Sequence, residues 1–298
     1  MEYNVLGNSD LKVSEISFGC MSLGTNDADN EEVIRNAILE GINLFDTADL
    51  YAQGYNEITL GKALRGQRKK VYIATKVGNR WNNDGEGWHW DASKEWILQA
   101  VEESLKRLQT DYIDLYQLHG GTMEDNIDEV IEAFELLKQQ GKIRHYGISS
   151  IRPNVIREYV AKSNISSVMM QYGLLDRRPE EECLPLLEEN NIGVLARGSL
   201  AKGMLVYKRP TTFLDHTEED VKRVAMAVRS VSGPKRNAAQ TALEFVLQNP
   251  AVTSAVVGIR TMNHLRDAVG VCDAPGMTNA EYKSLLDAAP AHFYQEHR

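Results

Sequence analysis

Asp46, Tyr51, Lys76 and His119 are residue types that together could protonate a carbonyl group, and three of the four end a short apolar run. Leu44-Phe45 stops on the Asp46 carboxylate, and the phenol of Tyr51 follows five residues later. Val71-Tyr72-Ile73-Ala74-Thr75 ends on Lys76, and Tyr112 to Leu118 ends on His119. A free phenol has a pKa of about 10 and is a poor acid at neutral pH. An ammonium beside Tyr51 favours the phenolate and is expected to lower that value. Lys76 then needs a counter-ion, for which Asp46 is the candidate. His119 can donate a hydrogen bond that orients a carbonyl and stabilises charge developing on its oxygen. None of these groups is an electron source, so the set implies a hydride-donating cofactor. Each type also has an ordinary role: a surface tyrosine, a solvated strand-end lysine, a histidine bonded to backbone, an aspartate capping a turn.

Such residues must be held by the ends of strands. Tyr3–Leu6 and Leu11–Val13 flank Gly7-Asn8-Ser9-Asp10 and predict a hairpin that plugs or lids one end of the fold. Apolar runs predict strands over Glu15–Phe18, Asn43–Phe45, Val71–Thr75, Tyr112–Leu118, Ile143–Ile148, Ser167–Met170, Gly193–Ala196 and Ser254–Val257. Helical spacing fills the intervals over Glu31–Glu40, Asn56–Leu64, Ser93–Leu108, Ile127–Gln140, Pro153–Ala161, Glu181–Asn190, Pro234–Gln248 and Met262–Val269. Arg197 to Ser232 is an oversized excursion with helical content around Glu218–Val231, and Thr278 to Glu281 fits a capping box opening a last helix to Ala289. Eight strand–helix pairs in series predict a (β/α)8 TIM barrel with an N-terminal β-hairpin and extra C-terminal helices, as one domain over residues 1–298. The strand ends, Gly19, Asp46, Lys76, His119, Ser149, Gln171, Arg197 and Gly258, then share the rim where barrel enzymes carry their chemistry.

Composition narrows the class. A formal charge of −9 with no basic block argues against general nucleic-acid or membrane-surface binding. Cys20, Cys183 and Cys272 show neither a disulfide framework nor metal-ligand spacing, so no metal is expected. No signal peptide or membrane-spanning run is evident, which predicts a reduced, cytoplasmic protein. There is no G-x-S-x-G and no strand-following G-x-G-x-x-G.

In their order and spacing, Phe45-Asp46-Thr47-Ala48 with Tyr51, Ile73 to Lys76, Asp114 to His119, Gly141 to Ser149, Met170-Gln171-Tyr172 and Val256-Val257-Gly258 resemble the aldo-keto reductase superfamily. The resemblance runs from about Tyr3 to Ala289 and is nearest the bacterial branch of general-stress-type and inositol-operon-type reductases. It implies NADPH-dependent reduction of aldehydes, and of ketones or sugars, on a barrel without a Rossmann unit. By resemblance Tyr51 is the proton donor, with Asp46, Lys76 and His119 completing a tetrad. Ser149 and Gln171 hold the nicotinamide carboxamide, and the loop Gly198 to Gly203, including Leu200 and Lys202, covers the pyrophosphate. Gly258, Arg260, His264 and Asp267 belong to the cofactor end, with Arg260 on the 2′-phosphate and Asp267 at the adenine. The chain departs from many relatives at Ser150 and Ala268, where they have Asn, and at Gly258, where other branches have Lys. Arg197 replaces an aromatic that stacks on nicotinamide, and either stacks through its planar guanidinium or binds phosphate.

Val77 to Trp90 holds three of the chain's four tryptophans, Trp81, Trp88 and Trp90. They read either as an aromatic wall for a small carbonyl substrate or as a loop folded on itself above the barrel. Two other classes compete with the reductase. An NADPH-binding sensor or regulatory subunit would hold the cofactor and turn over little. A phosphate-binding barrel isomerase or lyase would need a carboxylate base and no nicotinamide.

Overall fold

The chain opens with strands β1 (Tyr3–Val5) and β2 (Lys12–Ser14), paired antiparallel as a hairpin. β3 (Ile16–Gly19), α1 (Asp27–Leu39), β4 (Leu44–Asp46), α2 (Tyr55–Ala63) and β5 (Tyr72–Val77) follow. A second hairpin, β6 (Asn79–Trp81) and β7 (Trp88–Trp90), precedes α3 (Lys94–Leu108). The alternation continues through β8 (Ile113–Leu118), α4 (Ile127–Gln139), β9 (Ile143–Ser149), α5 (Pro153–Lys162), β10 (Ser167–Gln171), α6 (Cys183–Glu189) and β11 (Gly193–Arg197). It ends with α7 (Glu218–Ser230), α8 (Ala238–Leu247), β12 (Val252–Gly258), α9 (Met262–Val269) and α10 (Asn279–Ala288). These elements come from a computed structural model describing residues 1–82 and 84–298; Asn83, within the tryptophan-rich stretch, lies outside them.

β3, β4, β5, β8, β9, β10, β11 and β12 pair in that order, all parallel, and close into the predicted barrel. Alternate strand residues face opposite sides, and the two sides bury separate apolar clusters. The outward set, with Phe18, Phe45, Ile73, Tyr116, Ile148 and Val257, packs under the helices. The inward set joins Leu44, Ala74, Leu115, Met169, Leu195 and Val256 to Leu6, Leu11 and Val13 of the hairpin. The hairpin is therefore a plug, and Gly7 beside Ser166 and Gly193 places it under the N-terminal ends of the strands.

Several boundaries differ from the sequence expectation for identifiable reasons. α1 starts at Asp27 because the Asn26 side chain accepts from the Ala28 amide and caps it. α8 starts at Ala238, not Pro234, because Gly233 to Arg236 close a turn and Asn237 with Gln240 forms a capping box. α6 starts at Cys183 rather than Glu181, because Glu182 stands outside helical geometry at φ −147°. The tryptophan stretch is a β-hairpin rather than an irregular loop. Seven strands each take in the residue expected just past them, so Gly19, Asp46, Lys76, Ser149, Gln171, Arg197 and Gly258 sit on β3, β4, β5, β9, β10, β11 and β12.

Candidate active site

The inward period of two positions the site. Two residues above the inward apolar layer, Leu44 leads to Asp46, Ala74 to Lys76, Met169 to Gln171, Leu195 to Arg197 and Val256 to Gly258. On β8 the same alternation runs from Leu115 through Gln117 to His119, just past the strand.

These ends converge. Lys76 Nζ donates to both carboxylate oxygens of Asp46, at 2.6 and 2.8 Å, and to the Thr47 carbonyl at 2.7 Å. It lies 3.5 Å from the Tyr51 hydroxyl, so the three ammonium hydrogens serve the carboxylate, the carbonyl and the phenol. The Tyr51 and His119 rings meet edge to face at 5.8 Å between centroids. Burial works against the Lys76 charge, and Asp46 together with Tyr51 more than offsets it, holding the amine above its ordinary range.

The phenol departs from expectation. Burial raises the Tyr51 pKa, and the neighbouring ammonium offsets only part of that rise, so the net shift is upward. Burial, with the Lys76 and Arg197 cations, takes His119 down to about 3. The imidazole is neutral at physiological pH, and its buried Nδ1 has no hydrogen-bond partner among the described residues. A buried acid, a fixed cation beside it and a neutral imidazole suit proton delivery to an oxygen gaining negative charge.

Tyr51 rides on a strained turn. Ala52 and Gln53 are left-handed, with φ of 49° and 54°, and Gly54 follows at 81°. Left-handed backbone disfavours any residue with a Cβ, and at Gly54 a Cβ would lie 2.7 Å from Arg107 Cδ. Arg107 crosses there to reach Glu57 Oε2 at 2.6 Å, while Glu57 Oε1 accepts from Thr75 at 2.6 Å. Glu57 thus ties α2 to α3 and to the strand residue preceding Lys76. The sequence did not single it out, because α2 also buries Asn56 and Thr59 and one more polar residue there carries no distinguishing signal.

The expected cofactor residues cluster after β9 to β12. Arg197 Nη1 donates to Gln171 Oε1 at 3.1 Å, and Gln171 Nε2 donates to Asp176 Oδ2 at 3.0 Å. Asp176, unnoticed in the sequence, also pairs with Arg178 and so fixes the Gln171 amide orientation. Gly198 has φ of +82°, and a Cβ there would lie 2.9 Å from Gln171 Cγ. The loop then turns through Leu200 and a 3₁₀ segment over Ala201–Gly203, with Lys202 left-handed and exposed. Gly258 abuts Ser22, and Arg260, exposed, lies beside Gly24. His264 stacks on Tyr207 at 5.6 Å between centroids, and Asp267 accepts from Asn237 at 2.9 Å. Buried Ser199 Oγ and His264 Nδ1 have no partner among the described residues. Small residues, spare polar atoms and an exposed guanidinium fit a phosphate-bearing dinucleotide. Among the described residues no group of His, Cys, Asp and Glu could hold a metal ion, and no helix is long and apolar enough to cross a membrane.

The tryptophans divide. Trp90 packs over Gly78 and Gly120, beside the rim positions of Lys76 and His119, and its Nε1 donates to Asp125 at 2.7 Å. Trp88 is largely exposed. Trp81 lines a separate cleft with Asp49 and Trp96.

The sequence model of the family described as "Aldo/keto reductase family" matches residues 15–289. The chain is 49% identical over 307 residues to an uncharacterized oxidoreductase, YqkF, of Bacillus subtilis (strain 168), covering all of both chains. The holo form of aldo-keto reductase AKR11C1 from Bacillus halodurans superposes with a TM-score of 0.94 at 47% identity, covering 100% of this chain and 99% of that one. The glycerol dehydrogenase AKR11B4 from Gluconobacter oxydans gives 0.87 at 26% identity, covering 99% and 98%.

Proposed function

Because the chain belongs to the aldo/keto reductase family, an oxidoreductase family acting on carbonyls with nicotinamide cofactors, we propose that it is an NADPH-dependent reductase of aldehydes. Ketones and sugars are further substrates on this reading, and the similarity to the glycerol dehydrogenase of Gluconobacter oxydans supports small hydroxylated ones. The observation that carries the proposal is Lys76 Nζ, held by Asp46 and within 3.5 Å of the Tyr51 hydroxyl.

A bound nicotinamide supplies the hydride. Tyr51 gives its proton to the carbonyl oxygen, and Lys76 stabilises the phenolate left behind. Asp46 keeps Lys76 charged and aimed. Neutral His119 donates a hydrogen bond that orients the oxygen. Ser149 and Gln171 hold the carboxamide, with Arg197 locking the Gln171 amide. Gly198, Leu200, Lys202 and Gly203 would hold the pyrophosphate, Gly258 belongs to the same end of the site with Ser22 against it, and Arg260 would take the 2′-phosphate. His264 and Asp267 border the adenine end, and Trp90, with Trp81 and Trp88 outside it, walls the substrate side. Residues 1–298 act as one domain in this reading, in the cytoplasm, in keeping with three unpaired cysteines.

Tyr51→Phe removes the proton and leaves the cofactor clamp. Its turnover of an aldehyde panel falls by about 10²–10⁴-fold, while NADPH binding by fluorescence titration is unchanged. Near-normal turnover means that another group is the acid. Arg260→Ala weakens NADPH about tenfold or more, the worth of a lost charge-assisted bond, and leaves NADH unaffected. Equal losses for the two cofactors place the 2′-phosphate elsewhere.

A further inference from the structure

The segment after α10, residues 290–298, crosses loops at the end of the barrel that carries Lys76 and His119. The match to the family model stops at residue 289, just before it. At its root Arg177 Nη1 donates to the Ala289 carbonyl at 2.7 Å, and His292 then stacks on His216 at 4.3 Å between centroids. The Asn154 amide, in the first turn of α5, donates to the His297 carbonyl at 2.9 Å. Arg298 Nη1 donates to the Tyr294 carbonyl at 3.1 Å, and its other arm pairs with Glu181. Tyr294 is buried, although Phe293 and Gln295 on either side of it are exposed. One sunken aromatic ring therefore anchors a segment that has neither helix nor strand.

That ring lies under Arg178, whose guanidinium carbon is 5.2 Å from the ring centroid. A guanidinium within about 6 Å of a ring face is attracted by the ring electrons. Arg178 Nε and Nη2 both donate to Asp176, each at 2.8 Å. Asp176 Oδ2 also accepts from Gln171 Nε2 at 3.0 Å, and Gln171 Oε1 accepts from Arg197 at 3.1 Å. Reversing the Gln171 amide would set its oxygen against a carboxylate and its NH2 against a guanidinium, so the two partners fix one orientation. Among the described residues this leaves the amide one N–H and one lone pair, which a second amide group would complement. The competing partner of Arg178 is Asp215, exposed and 3.8 Å away. The Tyr294 ring keeps the guanidinium on Asp176 instead.

We propose that Tyr294 is a positioning residue for the nicotinamide end of the cofactor, acting through Arg178, Asp176 and Gln171. The proposal rests on the reading that Gln171 holds the carboxamide. Residues 290–298 then set how firmly the nicotinamide is gripped. They take no part in gripping the phosphates, which fall to Arg260 and the Gly198–Gly203 loop.

Calorimetry on the full chain compares NADPH with 2′-phospho-ADP-ribose, which lacks the nicotinamide. Tyr294→Leu keeps apolar bulk and removes the ring. It weakens NADPH by about three- to tenfold, as loss of a cation–π contact would, and leaves 2′-phospho-ADP-ribose unchanged. Tyr294→Phe, which keeps a ring under Arg178, retains wild-type affinity for both. Thermal melts establish that each variant is folded. Arg178→Lys, which keeps the charge and loses the paired bonds to Asp176, gives the same split and serves where Tyr294→Leu does not fold. Equal weakening of both ligands overturns the proposal, because the segment then supports the whole cleft and not the amide. Unchanged NADPH affinity overturns it as well. Gln171→Ala separates that failure from failure of the carboxamide reading. If Gln171→Ala weakens NADPH alone while Tyr294→Leu does not, the reading stands and the proposal falls. If Gln171→Ala weakens neither ligand selectively, the carboxamide lies elsewhere and both fall.

Discussion

Tyr51 and His119 respond to the same burial in ways that set opposite limits on pH. The raised phenol keeps its proton through neutral and mildly alkaline solution, the form required for reduction. Aldehyde reduction is therefore expected to stay level from neutral pH upward and to fall only as pH passes the raised phenol pKa. Alcohol oxidation, which needs the phenolate, rises with pH over the same interval. With His119 taken down to about 3, the imidazole adds no acid limb between mildly acidic and neutral pH. Profiles of kcat/KM in both directions check this. A reduction limb near the ordinary histidine value, removed by substituting His119, would contradict a neutral imidazole. The sequence showed Lys76 lowering the phenol pKa, and that influence is present. It did not show the depth of burial, which depends on packing among segments far apart in the chain, and burial is the larger influence.

At the scale of elements, the turn from Tyr51 to Gly54 concentrates the strain. Ala52 stands at φ 49°, where a residue with a Cβ is disfavoured by roughly 1–2 kcal/mol. Ala52→Gly relieves that strain but enlarges the freedom of the unfolded chain, worth about 0.4–1 kcal/mol in the other direction. A gain of about 0.5–1 kcal/mol in denaturant unfolding is the expected balance. Gly54→Ala destabilises by about 2 kcal/mol or more, because its Cβ meets the Arg107 stem that serves Glu57. Equal effects from the two substitutions would mean that the turn is not held as described. Strand and helix order, the plug and the tetrad strand ends were legible because periodicity and residue type are local signals. The left-handed pair Ala52-Gln53, the β6–β7 hairpin, the Asp176 clamp on Gln171 and the Glu57–Arg107 tie were not. Each depends on a partner or a backbone state supplied by another segment.

Across the whole molecule, the hairpin plug and the proposed tetrad occupy opposite ends of the barrel. Leu11 is fully buried in the plug with Leu44, Leu115 and Leu195. Leu11→Ala should lower unfolding free energy by about 2–5 kcal/mol while leaving kcat/KM for an aldehyde close to wild type in the folded fraction. A matching loss of catalysis would show that the floor sets the geometry of the rim. The two-residue alternation that carries Leu44 up to Asp46 and Ala74 up to Lys76 has a further effect. One amino acid inserted within either strand would swing the carboxylate or the amine out among the helices and, on the proposed mechanism, abolish reduction. The same insertion between Trp81 and Trp88 would only lengthen a ribbon above the mouth. The positions of Asp46 and Lys76 are thus tied to the reading frame of their strands, and the length of the ribbon is not.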